Sequence, residues 1–130
     1  EYGLDVVNDL SGRYVCTFVK QKQGMRAGET DQAVSVDHPI LAGIGETIGR
    51  RLGHVANLDA DICADKDTYY LIDMNPRFGG GYPFSQMAGA NIPAALLAWA
   101  EGRQPDPGWL RVSAGVASAK YSKLILTRLR

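Results

Sequence analysis

The chain has 130 residues, of which 45% are hydrophobic and 22% charged, and this composition predicts one soluble globular domain over residues 1–130. Its 14 Lys and Arg residues balance 14 Asp and Glu residues, so no basic excess indicates a nucleic-acid partner. The longest apolar run, residues 92–99, is far shorter than the roughly 20 residues of a membrane-spanning helix, which argues against a membrane partner.

The first quarter of the sequence predicts a β-hairpin. Residues 4–9 and 13–19 are rich in β-branched and aromatic side chains, which favour strands, and turn-forming residues 10–12 lie between them. Residues 21–31 are polar and contain two glycines, so we expect a loop or an irregular strand there.

A helix is predicted next. Asp37 is expected to cap its first turn, in which Pro39 fits because proline suits the first helical position. Apolar side chains then recur every three or four residues as far as Leu52, and Gly53 is expected to end the helix.

The second half of the chain repeats this order. Residues 55–64 and 68–74 predict a second hairpin, and a flexible glycine loop is expected at residues 79–81. Residues 92–102 predict a helix, and residues 112–121 predict a further strand. Hairpin, helix, hairpin and helix together predict an α+β fold, an antiparallel β-sheet with flanking helices.

The second hairpin carries the residues that point to chemistry. A three-residue loop at residues 66–68 would place Asp61 opposite Asp73 and Asp59 opposite Asn75, about 5 Å apart. Because like charges at that spacing repel, the cluster indicates a bound divalent cation, and Mg²⁺ prefers such oxygen ligands. A solvated polar face on an edge hairpin is the alternative. The same alternation predicts that four side chains of the second strand share one face: Tyr69, Leu71, Asp73 and Asn75.

An arginine follows these acidic residues directly. Pro76 holds the turn after Asn75, so that Arg77 projects back over the hairpin. Its planar guanidinium suits phosphate or carboxylate. Carboxylates that hold a metal, with an arginine beside them, are typical of phosphoryl transfer, in which charge neutralisation and positioning do most of the catalysis.

Residues 70–77, Tyr-Leu-Ile-Asp-Met-Asn-Pro-Arg, resemble the Glu-x-Asn-Pro-Arg signature of ATP-grasp ligases, which include the large chain of carbamoyl-phosphate synthase. Residues 58–61 resemble the metal-ligand strand that precedes this signature, and residues 1–7 resemble the strand that opens the C-terminal lobe of the family. Residues 78–83 and 88–93 resemble the continuation in carbamoyl-phosphate-synthase-like members. The family usually has Glu where this chain has Asp73.

The resemblance implies the C-terminal lobe of a fold in which two lobes grip ATP. It implies a reaction that phosphorylates a carboxylate to an acyl phosphate, which an amine or a similar nucleophile then attacks. Carried over by position, Asp61, Asp73 and Asn75 would hold Mg²⁺, and Arg77 would stabilise the transferring phosphoryl group. Glu1 falls near the nucleotide-contacting acid of the family, and Asn75 would also face the nucleotide.

A basic polar segment leads toward this region. Lys20, Lys22 and Arg26 lie in it, and we expect them to contact the triphosphate or the acceptor carboxylate. A solvated loop is the alternative. The residues that resemble synthase-like members, 26–30, favour the functional interpretation.

The implied partners are a small-molecule carboxylate, an amine, and an N-terminal ATP-grasp lobe in the same or a partner chain. Without that lobe we expect the chain to be inactive and to self-associate as a homo-oligomer. Cys16 and Cys63 lack any paired-thiol spacing, which predicts free thiols and a cytoplasmic location. The alternative is a degenerate ATP-grasp module that binds a nucleotide or a partner without catalysis. A third hypothesis is a cation-binding domain without a nucleotide.

Overall fold

Six strands form one antiparallel sheet in the computed structural model, which describes residues 1–127. The last three residues of the predicted domain lie outside the described part. The strands are β1 (Tyr2–Asn8), β2 (Tyr14–Arg26), β3 (Glu29–Ser35), β4 (Ala56–Asp65), β5 (Thr68–Asn75) and β6 (Ala117–Ala119). Their order across the sheet is β5-β4-β1-β2-β3-β6, and every neighbouring pair is antiparallel.

Helices flank both faces of this sheet, which confirms the predicted α+β class. They are α1 (Pro39–Leu52), α2 (Tyr82–Met87) and α3 (Ile92–Ala100), followed by a short 3-10 helix (Pro107–Leu110). One core lies between the sheet and α1 and includes Leu4, Leu41 and Leu58. The second core lies on the opposite face, where Val7 and Phe18 pack against Tyr82 and Ile92. The sheet is therefore buried on both sides near β1, its central strand.

The segment predicted as a loop or an irregular strand is an irregular strand, since its pairing with β3 shifts register on both sides of Gly24. β2 continues to Arg26 and pairs with β3 across a tight turn at Ala27 and Gly28, whose φ angles are 52° and 81°. The side chains there are polar because much of this hairpin faces solvent, whereas backbone pairing does not depend on side-chain polarity. Of the two alternatives, the irregular strand is confirmed and the loop was wrong.

The first helix begins and ends close to the predicted residues, but a different side chain caps it. His38 is the N-cap, since its Nδ1 accepts a hydrogen bond from the backbone N–H of Leu41 at 3.4 Å. The prediction that Asp37 caps the helix was wrong. Gly53 ends the helix in the left-handed region, at φ 59°, as predicted.

The second hairpin has the predicted register at the acidic residues but reaches it differently. The turn is one residue tighter than expected, so that Asp65 pairs with Thr68, and Ile72 is an extra residue that bulges from β5. Asp61 then lies opposite Asp73, and Asp59 lies opposite Asn75.

The bulge changes which side chains share a face of β5. Tyr69 packs against the core beneath α1, and Leu71 lines a shallow cavity with Ile48 and Leu52 of that helix. Tyr69 and Leu71 therefore do not share a face with Asp73 and Asn75, contrary to the prediction. The extra residue reverses the alternation between Leu71 and Asp73.

Three further differences concern the C-terminal half. The glycine loop leads into α2, which the sequence did not predict. The predicted strand at residues 112–121 is reduced to the three residues of β6. The third helix ends at Ala100, two residues early, although Gly102 adopts the expected left-handed conformation at φ 71°.

Apolar side chains remain exposed along β5, an edge strand of the sheet: Tyr70, Leu71, Ile72 and Met74. None of the helices within residues 1–127 is long and apolar enough to cross a membrane.

Candidate active site

A cavity of about 250 Å³ opens on the sheet face that carries α2. Strands β1 to β5, the β2–β3 turn and the glycine loop before α2 form its walls. Six of the site residues predicted from the sequence line it: Lys20, Lys22, Asp61, Asp73, Asn75 and Arg77. The fold thus brings together residues that are up to 57 positions apart in the sequence.

Asp59 belongs to this cavity as well. The strand register predicts it within the acidic cluster that indicates a cation, whereas the resemblance carries over only Asp61, Asp73 and Asn75 as ligands. It lines the cavity directly opposite Asn75 and on the same face as Asp61. The Asp-x-Asp alternation in β4 was a sufficient signal for it, because residues two apart on a strand share a face.

Asp61 is paired with Lys22, a lysine of the basic segment that the sequence predicts to contact the triphosphate or the acceptor carboxylate. The Lys22 ammonium lies 2.8 Å from Asp61 Oδ1 and 2.5 Å from Glu1 Oε1, and its side chain is 7% exposed. Burial lowers the pKa of Lys22, but the hydrogen bonds and charges of Asp61 and Glu1 raise it by more, so the pKa lies above its ordinary value. The structure thus places Glu1 beside the cavity, joined to it through Lys22.

Lys20 lies deeper and is also paired. Its ammonium is 2.6 Å from Asp5 Oδ2, and the side chains are 2% and 0% exposed. Ser85 Oγ donates a second hydrogen bond to Asp5 Oδ2 at 2.5 Å, and Asn57 Nδ2 donates one to Oδ1 at 3.2 Å. Asp5 therefore has partners on both oxygens, as a buried charge requires. Lys20 forms part of the cavity floor, with its charge matched from within the protein.

The glycine loop lies directly on two of these charged side chains. A Cβ built on Gly79 would lie 2.1 Å from the carboxylate carbon of Asp59, and one on Gly81 would lie 2.7 Å from Cε of Lys20. The nearest atoms to a Cβ on Gly80 would be 3.9 Å away. Gly79 and Gly81 thus permit this close approach, and a side chain at either position would displace Asp59 or Lys20.

Arg77 and Asp59 form an ion pair, and both line the cavity. Arg77 Nη1 is 3.4 Å from Asp59 Oδ2 and donates a hydrogen bond to the carbonyl oxygen of Phe78 at 3.1 Å. Burial raises the pKa of Asp59; the charges of Asp5 and Asp61 raise it further, while Lys20 and Arg77 act against them. A cation bound near Asp59 would stabilise its ionised form.

The oxygen donors of the cavity fit Mg²⁺ when substrate phosphates complete the coordination. Asn75 Nδ2 donates to Asp73 Oδ2 at 2.7 Å, which leaves Asn75 Oδ1 available as a donor to a metal. Among residues 1–127, no three acidic, histidine or cysteine side chains are arranged to hold a metal by themselves. Mg²⁺ commonly takes only one or two carboxylates and keeps its other positions for water and phosphate oxygens.

Two of the predicted site residues do not line the cavity: Glu1, which lies beside it, and Arg26. The Arg26 guanidinium pairs with Asp31 at 2.7 Å on the exposed β2–β3 hairpin. Met25 and Glu29, which flank it in this hairpin, line the cavity instead. Sequence position alone did not distinguish Arg26 from its neighbours, because the bulges at Gly24 shift the alternation of β2.

Comparison with known proteins adds a family match. A family model described as "ATP-grasp in the biosynthetic pathway with Ter operon" matches residues 1–122. The match includes every cavity residue named above. No curated protein matches the sequence.

Proposed function

The chain belongs to the ATP-grasp family, whose members are ATP-dependent ligase-type modules, and we propose that it is the C-terminal lobe of a Mg²⁺-dependent ligase that joins a carboxylate to an amine. The observation that carries the proposal is the convergence of Asp59, Asp73, Asn75 and Arg77 on one cavity. Oxygen donors for a cation and a guanidinium for a phosphoryl group then lie side by side.

Asp61, Asp73 and Asn75 are the proposed Mg²⁺ ligands from the sequence, and the geometry adds Asp59. The Lys22 ammonium already pairs with Asp61 Oδ1, at 2.8 Å. The oxygen donors most available to a cation are therefore Asp59, Asp73 and Asn75. Asp61 is less available because of its lysine partner. When bound, Mg²⁺ would neutralise charge on the phosphate oxygens of ATP.

Arg77 is the proposed catalytic residue. Its side chain is 57% exposed, and its contact with Asp59 is long, at 3.4 Å. The guanidinium can therefore turn toward a γ-phosphoryl group at small cost, because such exposed pairs contribute little stability. There its planar donors would stabilise the charge that develops during transfer.

The proposed reaction has two steps. A carboxylate oxygen of the acceptor attacks the γ-phosphorus of ATP, and ADP leaves, which gives an acyl phosphate. An amine then attacks the carbonyl carbon and loses a proton, and inorganic phosphate leaves with the oxygen that the carboxylate supplied. Lys20 and Lys22 each lie within 3 Å of a carboxylate beside the proposed site.

We propose further that an N-terminal lobe, in the same polypeptide or in a partner chain, covers the open side of the cavity. Its closure would exclude water from the acyl phosphate. Residues 78–83 and 88–93 resemble carbamoyl-phosphate-synthase-like members and support that subtype. The isolated chain is then expected to bind ATP weakly and to be inactive.

The test is phosphate release by the full-length protein with ATP, Mg²⁺ and a panel of carboxylates and amines. With a substrate pair identified, Arg77→Ala should lower kcat by roughly 100-fold, as loss of a donor to transition-state charge does, and change the ATP affinity far less. Arg77→Lys should restore part of the rate. Arg103→Ala is the matched control, because Arg103 pairs with Glu101 on an exposed turn away from the cavity.

A Kd for ATP that rises with Arg77→Ala while kcat is unchanged would make Arg77 a binding residue. No turnover of any carboxylate would favour the degenerate module that binds without catalysis.

A further inference from the structure

Another charged pair, Glu29 and Lys120, lies at the edge of the cavity beside Gly80 of the glycine loop. Glu29 lines the cavity, and its Oε2 lies 3.4 Å from the ammonium of Lys120. A Cβ on Gly80 would be 3.9 Å from each of these two atoms. Gly80 directly follows Gly79, the glycine that lies against the Asp59 carboxylate, and consecutive Cα atoms are about 3.8 Å apart. The Glu29–Lys120 pair therefore lies one residue along the loop from that contact.

Lys120 is held in place although it follows the last strand of the sheet. Its backbone N–H donates a hydrogen bond to the carbonyl oxygen of Asp31 at 2.8 Å, directly after β6 pairs with β3. Its ammonium also lies 5.7 Å from the centre of the Phe84 ring, within the range of a cation–π contact. The charge is therefore fixed at the cavity edge by contacts from β3 and α2.

The Glu29–Lys120 pair differs from the other lysine pairs of the cavity in its exposure. The Lys20 and Lys22 side chains are 2% and 7% exposed and are held by their carboxylates within 3 Å. The Lys120 and Glu29 side chains are 31% and 73% exposed, and their contact is longer. An exposed ion pair contributes little stability, so a ligand can separate these two charges more easily.

The split pair would present one negative and one positive charge, a few ångströms apart, beside the proposed site of acyl-phosphate formation. An amino acid carries the complementary charges on groups attached to one carbon. We propose that Glu29 binds the ammonium group and Lys120 the carboxylate of an amino acid that serves as the amine substrate. This inference rests on the proposed ligase function.

The test removes one charge from the protein and the matching charge from the substrate, separately and together. It uses the full-length protein, with phosphate release as the readout. The probes are pools of common L-amino acids and the corresponding amino acid amides, which keep the amine but lack the carboxylate. We expect the wild-type protein to prefer the acids by about 10- to 100-fold in KM, as for one charged hydrogen bond. Lys120→Met should abolish this preference with little change in kcat.

Glu29→Gln tests the other charge. In the wild-type protein an amino acid should bind to the amine site more tightly than its des-amino analogue, which lacks the ammonium group. Glu29→Gln should remove that difference. The control variants are Arg50→Met and Glu46→Gln, which break an exposed ion pair on α1, on the opposite face of the sheet. They should leave both ratios unchanged.

A preference for acids that survives in Lys120→Met, or a wild-type protein that uses amides equally well, would overturn the inference and leave the ligase function standing. A lack of phosphate release with every acid and amine would instead contradict the ligase function, and the inference with it.

Discussion

Gly79 lies so close to the Asp59 carboxylate that a Cβ on this glycine would be 2.1 Å from the carboxylate carbon. Gly79→Ala should therefore displace either Asp59 or the loop, and we expect it to destabilise the protein by about 1–3 kcal/mol, the cost typical of overpacking. Gly80→Ala is the matched control, since nothing lies closer than 3.9 Å to its Cβ. Urea unfolding of both variants measures the difference. Equal free energies of unfolding would contradict the described packing of this loop.

The buried Asp5–Lys20 pair predicts a large cost when one partner is removed. Asp5→Asn would leave the Lys20 ammonium, which is 2% exposed, without its counter-charge. We expect a loss of about 3–5 kcal/mol in the free energy of unfolding. Asp65→Asn, at the exposed tip of the second hairpin, should change it by less than about 0.5 kcal/mol. A loss below about 1 kcal/mol for Asp5→Asn would show that this pair is not buried as described.

The two cysteines should differ sharply in reactivity. Burial and the charge of Asp5 raise the pKa of Cys16 to about 12, whereas Cys63 is exposed. At pH 8 the thiolate fraction of Cys16 is then only about 10⁻⁴, and the thiolate is the reactive form. Alkylation with iodoacetamide should modify one thiol quickly in the native protein and both in urea. Cys63→Ser should abolish the fast phase; a fast phase that persists in this variant would place Cys16 at the surface.

The Mg²⁺ ligand set predicts unequal effects from two aspartates of the same hairpin. Asp73→Asn should weaken Mg²⁺ binding, measured by calorimetry, by roughly tenfold or more. Asp65→Asn should leave it unchanged, because Asp65 pairs with Thr68 next to the turn and does not line the cavity. Similar effects from the two substitutions would contradict the assignment.

The sequence contained enough information for the pairing of Asp61 with Asp73, because strand alternation and a short turn constrain a hairpin strongly. It did not reveal how that pairing arises. A two-residue turn and a bulge at Ile72 compensate each other, so that the register of the acidic residues was right while the face of Tyr69 and Leu71 was wrong. Bulges depend on tertiary packing, here against α1, which local composition does not encode.

The charge partners of the cavity could not be predicted for a related reason. Ser85 reaches Asp5 from 80 residues away, and Lys120 reaches Glu29 from 91 residues away. Such contacts follow only from the position of α2 and β6 on the sheet. The same applies to Arg26, which looked equivalent to Lys20 and Lys22 in the sequence but lies on the solvent side of its hairpin.

The central claim is that this cavity forms an acyl phosphate from a carboxylate and ATP, and isotope transfer tests it most directly. The full-length protein would be given an acceptor labelled with ¹⁸O at both carboxylate oxygens, together with ATP, Mg²⁺ and the amine. Because phosphate leaves the acyl phosphate with a carboxylate oxygen, we expect one ¹⁸O atom in each released phosphate, measured by mass spectrometry. Turnover that releases phosphate without ¹⁸O would contradict the account, since the phosphoryl group would then have been transferred to water.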